Sequence, residues 1–202
     1  MGVSWDQCRL IFAGTQFSDK LAEQIEAIAP DRQCELFSVG DGTPGPVGDE
    51  TLLRIIVSPA DYDPISDTVL RKPFEKCAAT GVSVVRGLAA DGELVELCQE
   101  RLGAAAGKGL HLVLSGSSAA IRGHEEAFGI YDQTVPRFDP ALSPFPSHAG
   151  VFLRKPPPKT DGRKQRQKDY ANWLFEQFEA NRHSLDTFRN GLLAPMASPT
   201  TE

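Results

Sequence analysis

The chain has 202 residues, a mass of 21.9 kDa and a net charge of −6, and 41% of its residues are hydrophobic. This composition is typical of one soluble domain that buries a sizeable core. No uncharged apolar run approaches ~18 residues, so we expect no membrane span. The first residues lack the basic and apolar regions of a secretory signal, and we therefore expect a cytoplasmic protein.

The cysteines and glycine motifs argue against metal and cofactor chemistry. The four cysteines lie far apart, without a CxxC or a Cys/His cluster, which predicts reduced and mostly buried thiols rather than a zinc site or a disulfide framework. They are Cys8, Cys34, Cys77 and Cys98. Since the P-loop and dinucleotide-binding glycine motifs are also missing, we expect neither a metal nor a cofactor.

Charge is unevenly distributed along the chain. Residues 154–168 contain seven basic side chains and one acidic side chain, whereas residues 1–153 are strongly acidic. An acidic body disfavours nucleic acid as a partner, because phosphate contacts come from clustered Lys and Arg. We interpret the proline-rich basic segment as a solvated linker. A third functional reading, after the two given below, is a nucleic-acid-associated protein that uses this segment.

Short apolar runs alternate with helical patterns through the first 118 residues. Strands are predicted at residues 8–14, 34–39, 52–58, 82–86 and 110–115. Three helices are also predicted. The first begins by Leu21 and is ended by Pro30, the second ends at about Thr80 and is followed by Gly81, and the third begins at Asp91. This alternation predicts a single flavodoxin-like α/β domain over residues 1–153, with a mainly parallel sheet of about five strands and flanking helices.

The pattern changes in the second half of the chain. Residues 119–131 predict a helix, 134–147 an irregular excursion and 151–154 a short final strand. An amphipathic C-terminal helix is predicted at 169–193, beginning near Gln167, and a disordered tail at 194–202. The apolar stripe of this helix packs either on its own domain or on another molecule, which is a protein partner or a second copy of the chain. The stripe contains Tyr170, Trp173, Leu174, Phe178, Leu185 and Phe188.

A parallel sheet binds ligands at the carboxyl ends of its strands, which here are rich in Gly, Ser and Thr. Backbone N–H groups at the start of a helix after Gly116 could bind phosphate, so a nucleotide or another phosphate-bearing small molecule is a candidate ligand. The alternative is an ordinary turn with a helix N-cap. The candidate ligand-binding residues are Gly14, Thr15, Gln16, Ser58, Ser115, Gly116, Ser117 and Ser118.

Two pairs of carboxylates are the candidate catalytic groups. Asp61 and Asp63 follow the most apolar strand, where they could hold Mg²⁺, act as acid and base, or serve as turn and cap residues. Glu125 and Glu126 could supply a catalytic carboxylate or form an exposed acidic helix face. The catalytic and the structural interpretation of each carboxylate pair both stay open.

Two families resemble parts of the chain. The strings Val69–Glu75 and Val151–Pro156 resemble the apolar-x-Lys-Pro signature of response-regulator receiver domains, which implies a flavodoxin-like fold. The strand ends carry Gly14 and Ser58 where receivers carry acidic residues, so the resemblance implies a degenerate module without the phosphoacceptor pocket. Residues 10–18 resemble the opening strand of nucleoside deoxyribosyltransferase-like proteins, and this implies Glu125 or Glu126 as a nucleophile on an N-glycosidic bond.

From these observations we expect a cytosolic regulatory or protein-interaction module. The alternative is a nucleotide- or nucleoside-processing enzyme whose site lies at the strand ends. A concave pocket with convergent carboxylates would favour the enzyme. A filled strand-end face with an exposed apolar patch would favour the interaction module.

Overall fold

A six-stranded sheet organises the molecule. The structure is a computed structural model and describes residues 4–14, 21–28, 30–38, 44–89, 93, 96–97, 109–135, 145–154 and 162–184. The sheet has the strand order β6-β7-β4-β1-β5-β8, and a separate small hairpin is formed by β2 and β3. The strands are β1 (Thr51–Ser58), β2 (Tyr62–Asp63), β3 (Thr68–Val69), β4 (Val82–Arg86), β5 (Gly109–Ser117), β6 (Phe128–Val135), β7 (Phe145–Leu153) and β8 (Arg182–Ser184).

Every neighbouring pair of strands in this sheet is antiparallel, so the predicted flavodoxin-like, mainly parallel sheet is wrong. Three of the five predicted strands are present as β1, β4 and β5, but β1 runs opposite to both of its neighbours. β1 is apolar because other side chains of the protein pack on both faces of the sheet at this strand. That cover is common in parallel sheets but does not itself fix strand direction.

In the part of the chain that the structure describes, five α-helices and two 3₁₀ segments accompany the sheet. The α-helices are α1 (Trp5–Gly14), α2 (Leu21–Ile28), α3 (Lys72–Glu75), α4 (Ser118–Gly123) and α5 (Arg163–Glu179), and the 3₁₀ segments are Pro30–Leu36 and Lys76–Ala78. The strands predicted at 8–14 and 34–39 are therefore wrong. In α1 the buried side chains are Cys8, Ile11 and Phe12, whereas Arg9 and Leu10 are exposed, which is the i, i+3, i+4 spacing of a helix.

The second half of the chain also differs from its predicted pattern. The helix predicted at 119–131 stops at Gly123, and the chain then forms strand β6. α5 begins at Arg163, inside the predicted linker, and ends at Glu179. The short edge strand β8 follows at Arg182–Ser184, so the prediction of a helix over 169–193 is wrong for these residues. Gly81 has a φ of +84°, which suits glycine after the end of a helical segment. Among the residues that the structure describes, no helix has the length and apolar character needed to cross a bilayer.

The two faces of the sheet bury different clusters. On one face, Leu52 and Ile56 of β1 pack in a core with Leu174 and Phe178 of α5. On the other face, Leu53 packs in a cluster with Val85, Leu97, Val113 and Phe145. Because alternate residues of β1 belong to different clusters, side chains cover both faces of the sheet centre. α5 and the sheet thus share one core.

The N-terminal helices cover the β6–β7 end of the sheet, where they meet Tyr131 and Phe152. Glycines leave space for these two rings. A Cβ atom on Gly150 would lie 2.5 Å from Phe152 Cε2, and one on Gly129 would lie 2.7 Å from the Tyr131 hydroxyl. Both separations are shorter than van der Waals contact, so the packing of these two rings requires glycine at both positions.

The state of the cysteines differs from the prediction in one respect. Cys8 of α1 and Cys34 of the 3₁₀ segment form a disulfide across 26 residues of sequence, so the predicted reduced state of this pair is wrong. The helical form of both segments brings the two sulfurs together, and this was not readable from their spacing. Cys77 is a free, buried thiol as predicted, and Cys98 lies outside the described residues.

Candidate functional site

A shallow, open depression of about 280 Å³ lies between the end of α4 and the first half of α5. We call it the α4–α5 recess; it is lined by His124, Glu125, Arg166, Asp169 and Tyr170. Three of these residues are one turn or less apart on α5, and the other two belong to the turn that joins α4 to β6. Helical spacing and one tight turn therefore place all five at one site.

Aromatic rings form the inner side of the α4–α5 recess. The His124 ring stacks on Trp173, with ring centroids 3.6 Å apart and planes inclined by 8°. Beneath them lies the fully buried Phe128, whose ring is 5.6 Å from Trp173. Tyr170 meets His124 edge to face at 6.0 Å. This cluster gives the recess a firm apolar base.

The turn after α4 has an uncommon backbone conformation. Glu125 and Glu126 have φ angles of +50° and +52°, a region that costs a non-glycine residue roughly 1–3 kcal/mol. The N–H of Arg154, at the end of β7, donates to the Ala127 carbonyl at 2.7 Å and fixes the far side of the turn. Two consecutive residues in the left-handed backbone conformation make this turn a candidate functional feature, because such strain tends to occur at binding sites.

The strained turn brings Glu125 to Tyr170. The Tyr170 hydroxyl donates a hydrogen bond of 2.9 Å to Glu125 Oε2. This bond is the main reason why the pKa of Tyr170 is raised; partial burial and the Glu125 charge add to it, and the Arg166 charge opposes it. The phenol is therefore a stable donor to the carboxylate at neutral pH.

Negative charge exceeds positive charge around the α4–α5 recess. Its lining contains two carboxylates, Glu125 and Asp169, and one guanidinium, Arg166. The exposed Glu126 adjoins Glu125 in the same turn. Asp169 Oδ1 accepts a hydrogen bond of 2.8 Å from the side-chain amide of Gln165. The site thus combines aromatic surface with a net negative charge.

The other candidate carboxylates have structural partners. Asp61 forms an ion pair with Arg54 at 3.3 Å, and the pKa of Arg54 is lowered mainly by its burial. Asp63 accepts hydrogen bonds from the Ile65 N–H and the Ser66 hydroxyl, which lower the pKa of the Asp63 carboxyl. Within the described ranges, no group of three or more His, Cys, Asp or Glu side chains is placed to hold a metal ion.

The candidate ligand-binding residues do not converge. Ser58 pairs with Gly109, and Ser117 pairs with Thr51, so the two serines lie at opposite ends of the β1–β5 pair. Gly14 ends helix α1, whereas Thr15 and Gln16 lie outside the described residues. Antiparallel pairing thus separates groups that a parallel sheet would have gathered at one edge.

The serines near α4 have local roles. The Ser117 hydroxyl caps α4 by accepting from the Ala120 N–H, and the buried Ser118 hydroxyl donates to the Gly48 carbonyl and accepts from the Glu50 N–H. Ser115 contacts His183 Nε2 at 2.8 Å. Gly116 faces the Phe178 ring. These contacts are those of a helix cap and a packed strand.

The predicted apolar stripe of α5 divides into inner and outer positions. Leu174 and Phe178 are fully buried in the core of the same chain, whereas Tyr170 and Trp173 are half-buried and belong to the α4–α5 recess. Leu185 and Phe188 lie outside the described residues. Among the described residues of the stripe, the outer pair is thus the part that can meet another molecule.

Sequence reasoning missed His124, Arg166 and Asp169, and also a buried charged cluster elsewhere. In that cluster Arg86, which is 2% exposed, pairs with Glu50 at 2.7 Å and with Asp132 at 3.0 Å. Arg166 and Asp169 could have been found from helical spacing, since Arg166 lies four residues before Tyr170 and Asp169 lies three residues after Arg166. Nothing in the sequence marked His124 or the Arg86 cluster.

Compared with known proteins, the chain matches no family model, no curated protein and no solved structure.

Proposed function

We propose that the chain is a regulatory protein-interaction module and that the α4–α5 recess is its contact site. The observation that carries this proposal is the hydrogen bond from Tyr170 to Glu125, because it joins the strained turn to the outer face of α5. The half-buried Trp173 beside it adds aromatic surface, and aromatic residues are enriched in protein interfaces.

The shape of the recess supports a contact site more than an enclosed active site. Small-molecule sites are typically concave clefts of about 300–1,000 Å³ that bury most of the ligand. The α4–α5 recess is open and has a volume of about 280 Å³. Such a depression accepts one protruding side chain of a partner, in the manner of an interface hot spot.

A screen of blocked tripeptides that differ only in the central side chain tests this proposal. Binding is followed by amide NMR signals of the ¹⁵N-labelled protein. We expect at least one class of side chain to shift the signals of Glu125, Tyr170 and the Trp173 indole, with little change at β1. Shifts scattered over the surface, or no shifts at millimolar peptide, would reject the recess as a contact site.

The same hydrogen bond favours a second candidate function, a nucleoside-processing enzyme with Glu125 as the nucleophile. A phenol that donates to a carboxylate can position it for attack on a glycosidic carbon. Incubation with purine and pyrimidine nucleosides, followed by chromatography of the released base, tests this reading. It requires base release that disappears in Glu125→Gln and persists in Glu126→Gln.

A further inference from the structure

The carboxylates of the α4–α5 recess have capacity for a ligand. An ionised carboxylate accepts about four hydrogen bonds. Glu125 accepts one from Tyr170, and Asp169 accepts one from Gln165. Both residues are exposed and line the depression, so a donor can approach them. A ligand with several N–H donors and a positive charge therefore suits this pair of acids.

The aromatic side chains of the recess suit the same kind of ligand. The Tyr170 ring and the stacked His124 and Trp173 rings lie beside the carboxylates. A cation near an aromatic ring is attracted by the negative face of the ring, even at an exposed site. Long basic side chains also have an apolar stem that covers aromatic surface while the charged head stays in water. Aromatic surface and negative charge thus point to one ligand class.

Arg166 is the positive group among the described lining residues, and it limits which cations can bind. Arg166 lies four residues before Tyr170 on α5, and both side chains line the recess, so the guanidinium is on the same helix face as the phenol. An isolated cation in the recess would be repelled by Arg166. A basic side chain carried on a peptide offsets part of this cost, because a neighbouring peptide carbonyl can accept from the guanidinium.

We propose that the α4–α5 recess binds a lysine or arginine side chain of a partner protein. The charged head contacts Glu125 and Asp169, the stem lies on Tyr170, and a backbone carbonyl next to the basic residue accepts from Arg166. Charge complementarity is the reason for choosing this occupant, since the described lining of the recess carries two carboxylates and one guanidinium. This inference rests on the proposed function and specifies the chemistry of the partner.

The test uses blocked tripeptides with a central arginine, lysine, glutamine or glutamate, titrated into the full chain. We expect the arginine and lysine peptides to bind about three- to thirty-fold more tightly than the glutamine peptide. The preference should shrink when the salt concentration rises, because screening weakens exposed charge pairs. This salt dependence is measured on the unaltered protein and needs no variant to fold.

Two matched variants locate the effect. Glu125→Gln should remove most of the preference for basic peptides, and Asp169→Asn should reduce it. Glu75→Gln makes the same change of charge at an exposed position of α3 and should leave the preference unchanged. Equal loss in Glu125→Gln and Glu75→Gln would show a long-range charge effect and overturn the proposed contacts.

The possible failures are distinguishable. If the glutamine or glutamate peptide binds the recess as well as the arginine peptide, the basic occupant is rejected, whereas the recess remains a contact site. If no peptide shifts the recess signals, both proposals fail. If the same signals shift with protein concentration in the absence of peptide, the occupant is a second copy of this chain, and a partner protein is rejected.

Discussion

The Phe178 ring lies against the backbone of Gly116, and a Cβ atom on that glycine would be 3.1 Å from Phe178 Cε1. The sequence suggested separate roles for these residues, one in an interface and the other in ligand binding. Their contact joins α5 to β5 inside the core instead. α5 is therefore part of the fold, and only its outer face is available to other molecules.

Replacement of Phe178 should strongly destabilise the chain. Phe178→Ala removes a fully buried ring from the core, so we expect a loss of about 3–5 kcal/mol in the free energy of unfolding. Urea denaturation measures this change. Glu176→Ala, at an exposed position of the same helix, is the control and should stay within about 0.5 kcal/mol of the parent. Similar stabilities for the two variants would contradict the placement of α5.

Removal of the buried Arg86 charge should also be costly. Arg86→Met leaves Glu50 and the fully buried Asp132 without their cation, and breaking such a pair costs about 3–5 kcal/mol. Urea unfolding at neutral pH gives the difference. Lys72→Met removes one positive charge from an exposed site and should change stability by less than about 0.5 kcal/mol. A mild effect of Arg86→Met would mean that water reaches this cluster.

Reduction of the Cys8–Cys34 disulfide should lower stability without removing the sheet. The crosslink closes a loop with a sequence separation of 26, and loops of this size gain about 2–4 kcal/mol from a disulfide. We expect urea unfolding to begin at lower urea after dithiothreitol treatment. The double variant Cys8→Ser/Cys34→Ser is the control, because dithiothreitol should not change its unfolding. An equal response of both proteins to dithiothreitol would argue against the crosslink.

The Tyr170 phenol should titrate above the usual pKa of tyrosine, because it donates to Glu125. Glu125→Ala removes that acceptor, so the pKa of Tyr170 should fall toward its ordinary value; Glu126→Ala should leave it unchanged. Since the folded pKa is raised, the contribution to stability is present below the ordinary tyrosine pKa of about 10 and is lost as pH rises through the folded value. The ring ¹³C shift of Tyr170 reports the titration. An unchanged pKa in Glu125→Ala would contradict the hydrogen bond.

The sequence identified several elements but could not reveal how they pair. β1, β4 and β5 were predicted from short apolar runs, which are local properties. Strand direction depends on partners far away along the chain, so the alternation with helical patterns misled the prediction of fold. The error at 8–14 was avoidable, because Cys8, Ile11 and Phe12 follow helical spacing.

The candidate site was predicted in separate pieces. Glu125 was predicted as a catalytic group, and Tyr170 and Trp173 as interface residues, because each assignment used only neighbouring residues. Their association depends on the strained φ of Glu125 and on the position of α5 beside the turn. Neither property has a local sequence signal, since glutamate rarely adopts a left-handed conformation.

The glycines beside Phe152 determine which substitutions the β6–β7 end of the sheet can tolerate. Alanine at Gly150 would overlap the Phe152 ring, and alanine at Gly81 would meet the same ring and also carry a φ of +84°. Among diverging homologues, we therefore expect both positions to remain glycine while exposed neighbours vary freely. Where Gly150 does change, Phe152 should change with it to a smaller residue, so these two positions should vary together during evolution.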